Sequence, residues 1–221
     1  MGSLEKVAAY LAAREYEAEV IVVENGSTDD TAALVDAFVR EHPGVAMLRL
    51  PRPAKGAAVR AGVLAAAGRH RFLCDADLAM PVEQVARFLP PALDGVDIAI
   101  GTREGEGAHR YLEPFYRHIM GRVFNTIVRA VAVRGINDTQ CGFKCFTAEA
   151  AQQLFPRQRV GGFGFDLEIL FLAQRRGMRI VEVPIDWYHQ ADSKVRPVQH
   201  TLSMLAETAS VRWNYWRGRY A

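Results

Sequence analysis

Four short apolar runs punctuate the first half of the chain: EVIVV (19–23), VAMLRL (45–50), RFLC (71–74) and VDIAIG (96–101). Each is of strand length and bounded by turn residues, and EVIVV in particular reads as a buried strand. Segments with helical spacing separate them. TAALVDAFVREH (31–42) places Leu34, Val35, Phe38 and Val39 on one face, and KGAAVRAGVLAAAG (55–68) is a small-residue helix suited to close packing on a sheet. VEQVARFLPPAL (82–93) is a further helix, broken near Pro90 and Pro91. Ahead of them all, SLEKVAAYLAAR (3–14) starts at a capping Ser3 and turns Leu4, Val7, Ala8 and Leu11 to one side. Strands alternating with helices build right-handed βαβ units, so the expected fold is α/β, a mainly parallel sheet flanked by helices. Ligands of such sheets bind at the carboxyl ends of the strands. Three loops qualify there: Glu24–Thr28, Asp75–Ala79 and Gly101–Gly107.

The second half is less regular. A long helix is expected over Glu113–Val133, with Phe115, Ile119, Val123, Ile127 and Val131 inward. DTQCGFKCF (138–146) is an irregular or strand segment, and FDLEILFLAQRRG (165–177) is a helix ending at Gly177. RIVEVPIDW (179–187) is a strand ended or interrupted by Pro184, and an amphipathic helix covers Val198–Arg217. With 221 residues, no repeat and no flexible linker, the chain reads as one domain over 1–221: a ligand-binding half (1–101) and an acceptor-facing half (102–221).

Composition removes several function classes. A formal net charge of +2 is too small for a general nucleic-acid binder, which needs a strongly basic surface. Three cysteines without a C-x-x-C pair suggest neither a disulfide framework nor a zinc site, and fit a reducing cytoplasm. Glu5 and Arg14 interrupt any signal-peptide run, and no stretch reaches the ~18 apolar residues of a membrane span. A membrane would therefore be met from one side.

Several motifs carry chemistry. In RFLCDADLAMP (71–81), Asp75 and Asp77 follow a strand directly. Two carboxylates so placed can hold Mg2+ or Mn2+, which take oxygen ligands and often only one or two carboxylates beside phosphates. By itself the tripeptide is more often an Asx-turn or a helix cap. In VVENGSTDDT, Glu24 and Asn25 can hydrogen-bond a base or ribose, or simply shape the Asn25-Gly26 turn. Lys55 near a helix N-terminus suits a diphosphate, with Arg60 nearby in sequence. The chain has neither a Walker motif nor a G-x-G-x-x-G after a strand. A basic series of Arg103, Arg110, Arg117, Arg122, Arg129 and Arg134 offers phosphate binding or a solvated helix face. No histidine pair has metal-ligand spacing, and no nucleophile elbow is present.

Taken together and in order, VVENGSTDDT, KGAAVRAG and DADLAMP resemble the three signatures of the family 2 glycosyltransferases of the GT-A (Rossmann-like) fold. GTR, DTQCGFKCF, FDLEILFLAQRRG and DSKV are similar to the polyprenyl-phosphate sugar transferases, with DTQCGFK closest to the dolichyl-phosphate glucosyltransferases. The resemblance runs over roughly residues 3–217. It implies an inverting, metal-dependent transfer of a hexose, glucose by the DTQCGFK segment, from a nucleotide-sugar of the UDP type to a polyprenyl or dolichyl phosphate. It places Glu24, Asn25, Lys55, Arg60 and Asp75 at the nucleotide-sugar, and Asp77 with Asp75 at the Mg2+ or Mn2+ ion. Arg103, Arg117 and Lys194 would gather at the acceptor phosphate, with Asp138 and Gln140 near the sugar. Asp138 and Asp166 are candidates for positioning.

Three departures from the family pattern matter. Glu24-Asn25 replaces the usual acid pair. Ala79 stands where some mannosyl relatives carry a metal-binding Gln. The chain starts at what looks like the helix following the family's first strand, so that strand is expected to be missing. The C-terminal VRWNYWRGRY alternates aromatic and basic residues, as a lipid headgroup interface would, on the cytoplasmic face of a membrane. Two other functions fit the same residues: transfer to a soluble or natural-product acceptor, and nucleotide-sugar binding without turnover.

Overall fold

The computed structural model describes residues 2–111, 133–189 and 197–220, with side chains in the last segment from residue 203. Helix α1 (Gly2–Ala12) buries Tyr10. It begins before Ser3, which therefore lies in its first turn and is not its cap. Strand β1 (Val20–Asn25), helix α2 (Thr31–Glu41) and strand β2 (Val45–Leu50) form a βαβ unit. Its strands run parallel, from Val20↔Val45 to Asn25↔Leu50. Helix α3 (Lys55–Ala65) returns to β3 (His70–Cys74).

A second sheet has the order β3-β6-β4-β7. It contains β4 (Ile98–Thr102), β6 (Phe143–Thr147) and β7 (Ile180–Pro184). Strand β6 comes from the second half of the chain yet lies between two strands of the first, antiparallel to both β3 and β4. Strand β7 is parallel to β4. A third pair, β5 (His109–Tyr111) and β8 (Asp186–Tyr188), is also parallel. In place of the expected mainly parallel sheet there are one mixed four-stranded sheet and two parallel strand pairs, flanked by helices. Strands β1 and β3 share no ladder among the described residues; α3 spans them instead. A Cβ on its Gly62 would lie 3.0 Å from Val23 on β1, and the buried Arg71 of β3 donates to the Val63 carbonyl at 2.9 Å. Because β1 belongs to a two-stranded sheet, it is half-buried along its length, with Glu24 its least exposed residue, and not the buried strand its composition suggests.

Period-2 alternation splits the core between the two faces of the larger sheet. Ile98, Ile100 and Phe146 point to one side, with Leu154, Phe165, Ile169 and Leu170. Ala99, Phe143 and Cys145 point to the other, with Ala79, Met80, Phe88 and Ile185. Helix α4 (Ala148–Leu154) is capped by Thr147, whose side chain accepts from the Ala150 amide. Helix α5 (Phe165–Arg175) is buried from Phe165 to Ala173 and stops at Gly177, whose φ of +68° gives the left-handed end that glycine favours. Gly56 on α3 lets this layer close: a Cβ there would stand 2.7 Å from Phe165 Cβ and 2.8 Å from two backbone oxygens.

The helix expected at 82–93 is a 3₁₀ helix over Val82–Phe88. Pro81 before it and Pro90-Pro91 after it leave too few amides for an α-helical ladder. Pro184 is the last residue of β7, and Ile185 separates it from β8. Helix α6 (Pro197–Trp216) ends the fold. The helix expected over Glu113–Val133 falls on 112–132, outside the described residues, except for the buried Val133.

Candidate active site

The carboxyl ends of β1 and β3 and the N-termini of α3 and α5 meet at one place. Asn25 at the end of β1 accepts the Ala54 amide at 2.8 Å, fixing the residue from which α3 starts. Lys55, the first residue of α3, then reaches Asp75 after β3: Nζ to Oδ1 is 3.0 Å. Burial alone would lower the Lys55 ammonium, but Asp75 and Asp166 outweigh it and hold it above its usual range. Lys55 also lies 5.7 Å from the centre of the Phe163 ring.

The Asp75–Ala79 loop is tightly wound. The Leu78 amide donates to the Asp75 carbonyl at 3.2 Å, and the Ala79 amide to Asp77 Oδ1 at 3.0 Å. Leu78 has φ of +47°, the sole non-glycine residue in the left-handed region among those described. Such backbone strain concentrates at functional sites. The turn leaves Asp75 half-buried and Asp77 exposed, while Ala79 tucks into the core. Across the sheet, a Cβ on Gly142 would lie 1.9 Å from Asp75 Oδ2. The Asp75 carboxylate thus rests against bare backbone.

Below this loop are two charges on the same face. Lys144, two residues beyond Gly142 on β6, is buried and ion-paired to Asp166 at 2.6 Å, and it donates to the Cys141 carbonyl. Asp166 is buried in the first turn of α5. Burial pushes its carboxyl up, against the pull of Lys144 and Lys55.

At the end of β4, Arg103 grips Asp138 bidentately, with Nε to Oδ2 at 2.7 Å and Nη2 to Oδ1 at 2.9 Å. Asp138 is fully buried. Burial would raise its carboxyl, but Arg103 more than reverses this and holds it below the usual range. Glu182 of β7 accepts the Asn137 and Asp138 amides at 2.9 and 3.0 Å, which locks the segment. Arg103 also lies over Trp187, 5.4 Å from the ring centre. Gln140 has a buried Nε2 without a hydrogen-bond partner.

Of the residues singled out in the sequence, the structure therefore brings Asn25, Lys55, Asp75 and Asp77 together. Glu24 lies beside Asn25, but its carboxylate accepts from the Ser27 amide, which lowers its pKa and closes the loop. Arg60 is not brought to this cluster: its Nε donates to the Phe155 carbonyl at 2.8 Å. Both oxygens of Asp138 serve Arg103. Arg117 and Lys194 lie outside the described residues. Gly142 and Lys144 carry no signal of their own in the sequence beyond their alternation in DTQCGFK; their importance depends on the pairing of β6 with β3.

As a cation site, Asp75 and Asp77 supply hard oxygen donors, and the described residues contain no group of three acidic, His or Cys side chains that could hold an ion alone. Two carboxylates suit Mg2+ or Mn2+ completed by ligand phosphates and water. The residues fit such an ion.

Comparison with known proteins gives a consistent result. The profile of glycosyl transferase family 2 matches residues 3–155. A Trichomonas vaginalis protein named dolichyl-phosphate beta-glucosyltransferase is 38% identical over 205 residues, covering 87% of this chain and 61% of that one. The Dictyostelium discoideum protein of the same name is 31% identical, covering 92% and 65%. The human one is 30% identical, covering 98% and 72%. The chain thus spans about three fifths to seven tenths of the length of these relatives. Among solved structures, glucosyl-3-phosphoglycerate synthase from Mycobacterium tuberculosis with phosphoglyceric acid has a TM-score of 0.66 at 19% identity, over 95% of this chain and 74% of that one. The same enzyme with Mn2+, UDP-glucose and phosphoglyceric acid gives a TM-score of 0.65 at 19% identity, over 95% and 73%. These structures share the GT-A-like α/β fold.

Proposed function

Because the chain belongs to glycosyl transferase family 2, we propose that it transfers glucose from UDP-glucose to a polyprenyl phosphate of the dolichyl class, with inversion. The observation that carries this reading is the Lys55–Asp75 contact at the strand ends, with Asp77 beside it. The shared name of the sequence relatives supports the sugar and acceptor. The UDP-glucose and manganese in a structural neighbour support the donor and the ion.

In this mechanism Asp77 and Asp75 would hold Mg2+ or Mn2+. When bound, the ion lowers the charge of the leaving diphosphate. Lys55 and the first-turn amides of α3 bind the diphosphate of the donor. Asn25 and Glu24 shape the loop that receives the nucleoside. Arg103, oriented by Asp138, holds the acceptor phosphate. An acceptor-phosphate oxygen forms the bond to the anomeric carbon as the bond to the diphosphate oxygen breaks, and that electron pair leaves with UDP. A phosphate monoester has a second pKa near 6, so it arrives largely dianionic and needs no strong general base. Orientation of two mutually repelling phosphates is the main task of the protein.

The protein meets the membrane surface peripherally, on the cytoplasmic face, through the end of α6. No described helix is long and apolar enough to cross a membrane. Trp213 and Trp216 are exposed, Arg217 stacks over Trp213 at 4.6 Å, and Arg212 over Trp216 at 5.9 Å. No acidic residue follows Glu207.

The test is a panel of nucleotide-sugars with polyprenyl phosphate and Mn2+ or Mg2+, with Asp77→Ala as control. UDP-glucose should be the productive donor and Asp77→Ala inactive. Turnover by Asp77→Ala equal to the parent would remove the metal assignment. Turnover only with a non-phosphate acceptor would remove the lipid assignment.

A further inference from the structure

We propose that the buried Lys144–Asp166 ion pair is the platform that positions Lys55 and Asp75, making Lys144 and Asp166 positioning residues for the donor site. The inference rests on the donor reading above. Its starting point is the strand register. β3 and β6 pair antiparallel, with Leu73↔Lys144 and Cys74↔Phe143. Directly opposed residues of an antiparallel pair share a face, and side chains alternate along each strand. Gly142 and Lys144 are therefore on the face of β6 that carries Leu73 and, one step on, Asp75. Residue 142 makes room for the Asp75 carboxylate, and residue 144 places a cation beneath it.

Helix α5 supplies the counter-charge. Asp166 sits in its first turn, where the helix dipole favours an anion, and lies 2.6 Å from Lys144. It also attracts Lys55, which is 3.0 Å from Asp75. The four groups alternate in sign: Asp75, Lys55, Asp166, Lys144. Their charges cancel, leaving Asp77 as the additional carboxylate, facing solvent. Removing Lys144 alone would set Asp166 against Asp75 and Asp77 in competition for one ammonium, drawing Lys55 away from Asp75. Removing Asp166 alone would leave Lys144 buried without its partner and Lys55 with less to hold it.

A purely structural role does not account for this placement. Replacing a buried ion pair by apolar side chains of similar size is often neutral or stabilising. Leu73 and Phe146 on the same face already show that an apolar filling fits there. The polar pair lies where a fixed electrostatic environment matters, under the acidic loop.

The experiment compares the parent protein with Lys144→Met/Asp166→Leu and with the polar double variant Lys144→Gln/Asp166→Asn. Thermal melting reports stability, and calorimetric titration with UDP, with and without Mn2+, reports the site. The double variants are expected to melt within a few degrees of the parent yet bind UDP with Mn2+ at least tenfold more weakly. A double variant binding UDP as tightly as the parent overturns the proposal alone, as does failure of both double variants to fold, which would make the pair a structural staple. Absence of UDP binding by the parent would instead overturn the donor reading and, with it, this proposal.

Discussion

Asp75 and Gly142 face each other across β3 and β6, and the carboxylate of the first occupies the space that a side chain on the second would need. The register that pairs Cys74 with Phe143 leads directly to this opposition, and the 1.9 Å approach leaves no room for a methyl group. Gly142→Ala is therefore expected to displace Asp75 and lower UDP affinity in the presence of Mn2+ at least tenfold, about 1.4 kcal/mol. Calorimetry checks this; unchanged affinity would show that Asp75 need not sit where it does.

The Arg103–Asp138 pair is a second fixed point. Removing one partner of a buried pair costs about 3–5 kcal/mol, so Asp138→Asn should lower the melting temperature markedly. Arg103 holds the Asp138 carboxyl below its unfolded value. The stability it adds is fully present above about pH 4, the unfolded value, and is lost as pH falls through the lower folded value. Urea melts between pH 2 and 6 should show this acid-side loss in the parent and a smaller one in Asp138→Asn.

Glu168 has the opposite sign. It is buried and accepts from the Arg159 and Val160 amides at 2.9 and 2.8 Å and from the Tyr220 hydroxyl at 2.5 Å. Burial nevertheless raises its carboxyl. Its contribution to stability therefore declines as pH rises from about 4.3, the unfolded value, through the folded one. Tyr220→Phe leaves the carboxylate with one donor fewer and should cost about 1.5–3 kcal/mol at neutral pH, measured by urea unfolding. A cost near zero would mean that the C-terminal turn is not anchored through this bond.

The three thiols should be inert. Burial pushes Cys74, Cys141 and Cys145 each up to about 12, leaving almost no thiolate at neutral pH. Native protein treated with iodoacetamide near pH 7.5 should remain unmodified by mass spectrometry, and all three should react after denaturation. Rapid labelling of native Cys74 would contradict this.

The exposed tryptophans predict adsorption to anionic vesicles that Trp213→Ser/Trp216→Ser weakens at least severalfold in a flotation assay. Arg175 stacks on Tyr215 at 4.6 Å, which puts this patch beside the end of α5 remote from Asp166. At 1.5 Å per residue, the nine steps along α5 from Asp166 to Arg175 separate the two by about 14 Å. Equal flotation of the double variant would remove the membrane assignment.

Much of this arrangement is legible in the sequence. Periodicity gave β1, α2, β2, α3 and β3 nearly to the residue, because each carries its own local pattern. Lys55, Asp75 and Asp77 were legible for the same reason, standing where strands open into loops. Arg60 was not, since a spacing of five along a helix does not say which side faces the ligand. Gly142 and Lys144 were hidden by a different cause. Their neighbours are set by β6 entering antiparallel between β3 and β4, a long-range pairing that no local window contains.

That same insertion has a consequence for how the molecule is made. The floor beneath Asp75 comes from residues 142–144, and its counter-charge from Asp166. A nascent chain emerging from the ribosome has the β1–α2–β2 segment first, but it cannot bring Asp75, Gly142, Lys144 and Asp166 together until α5 has followed. The surroundings of the acidic loop are thus completed only late in synthesis, and a product cut short before α5 would carry the loop without Asp166 to pair with Lys144.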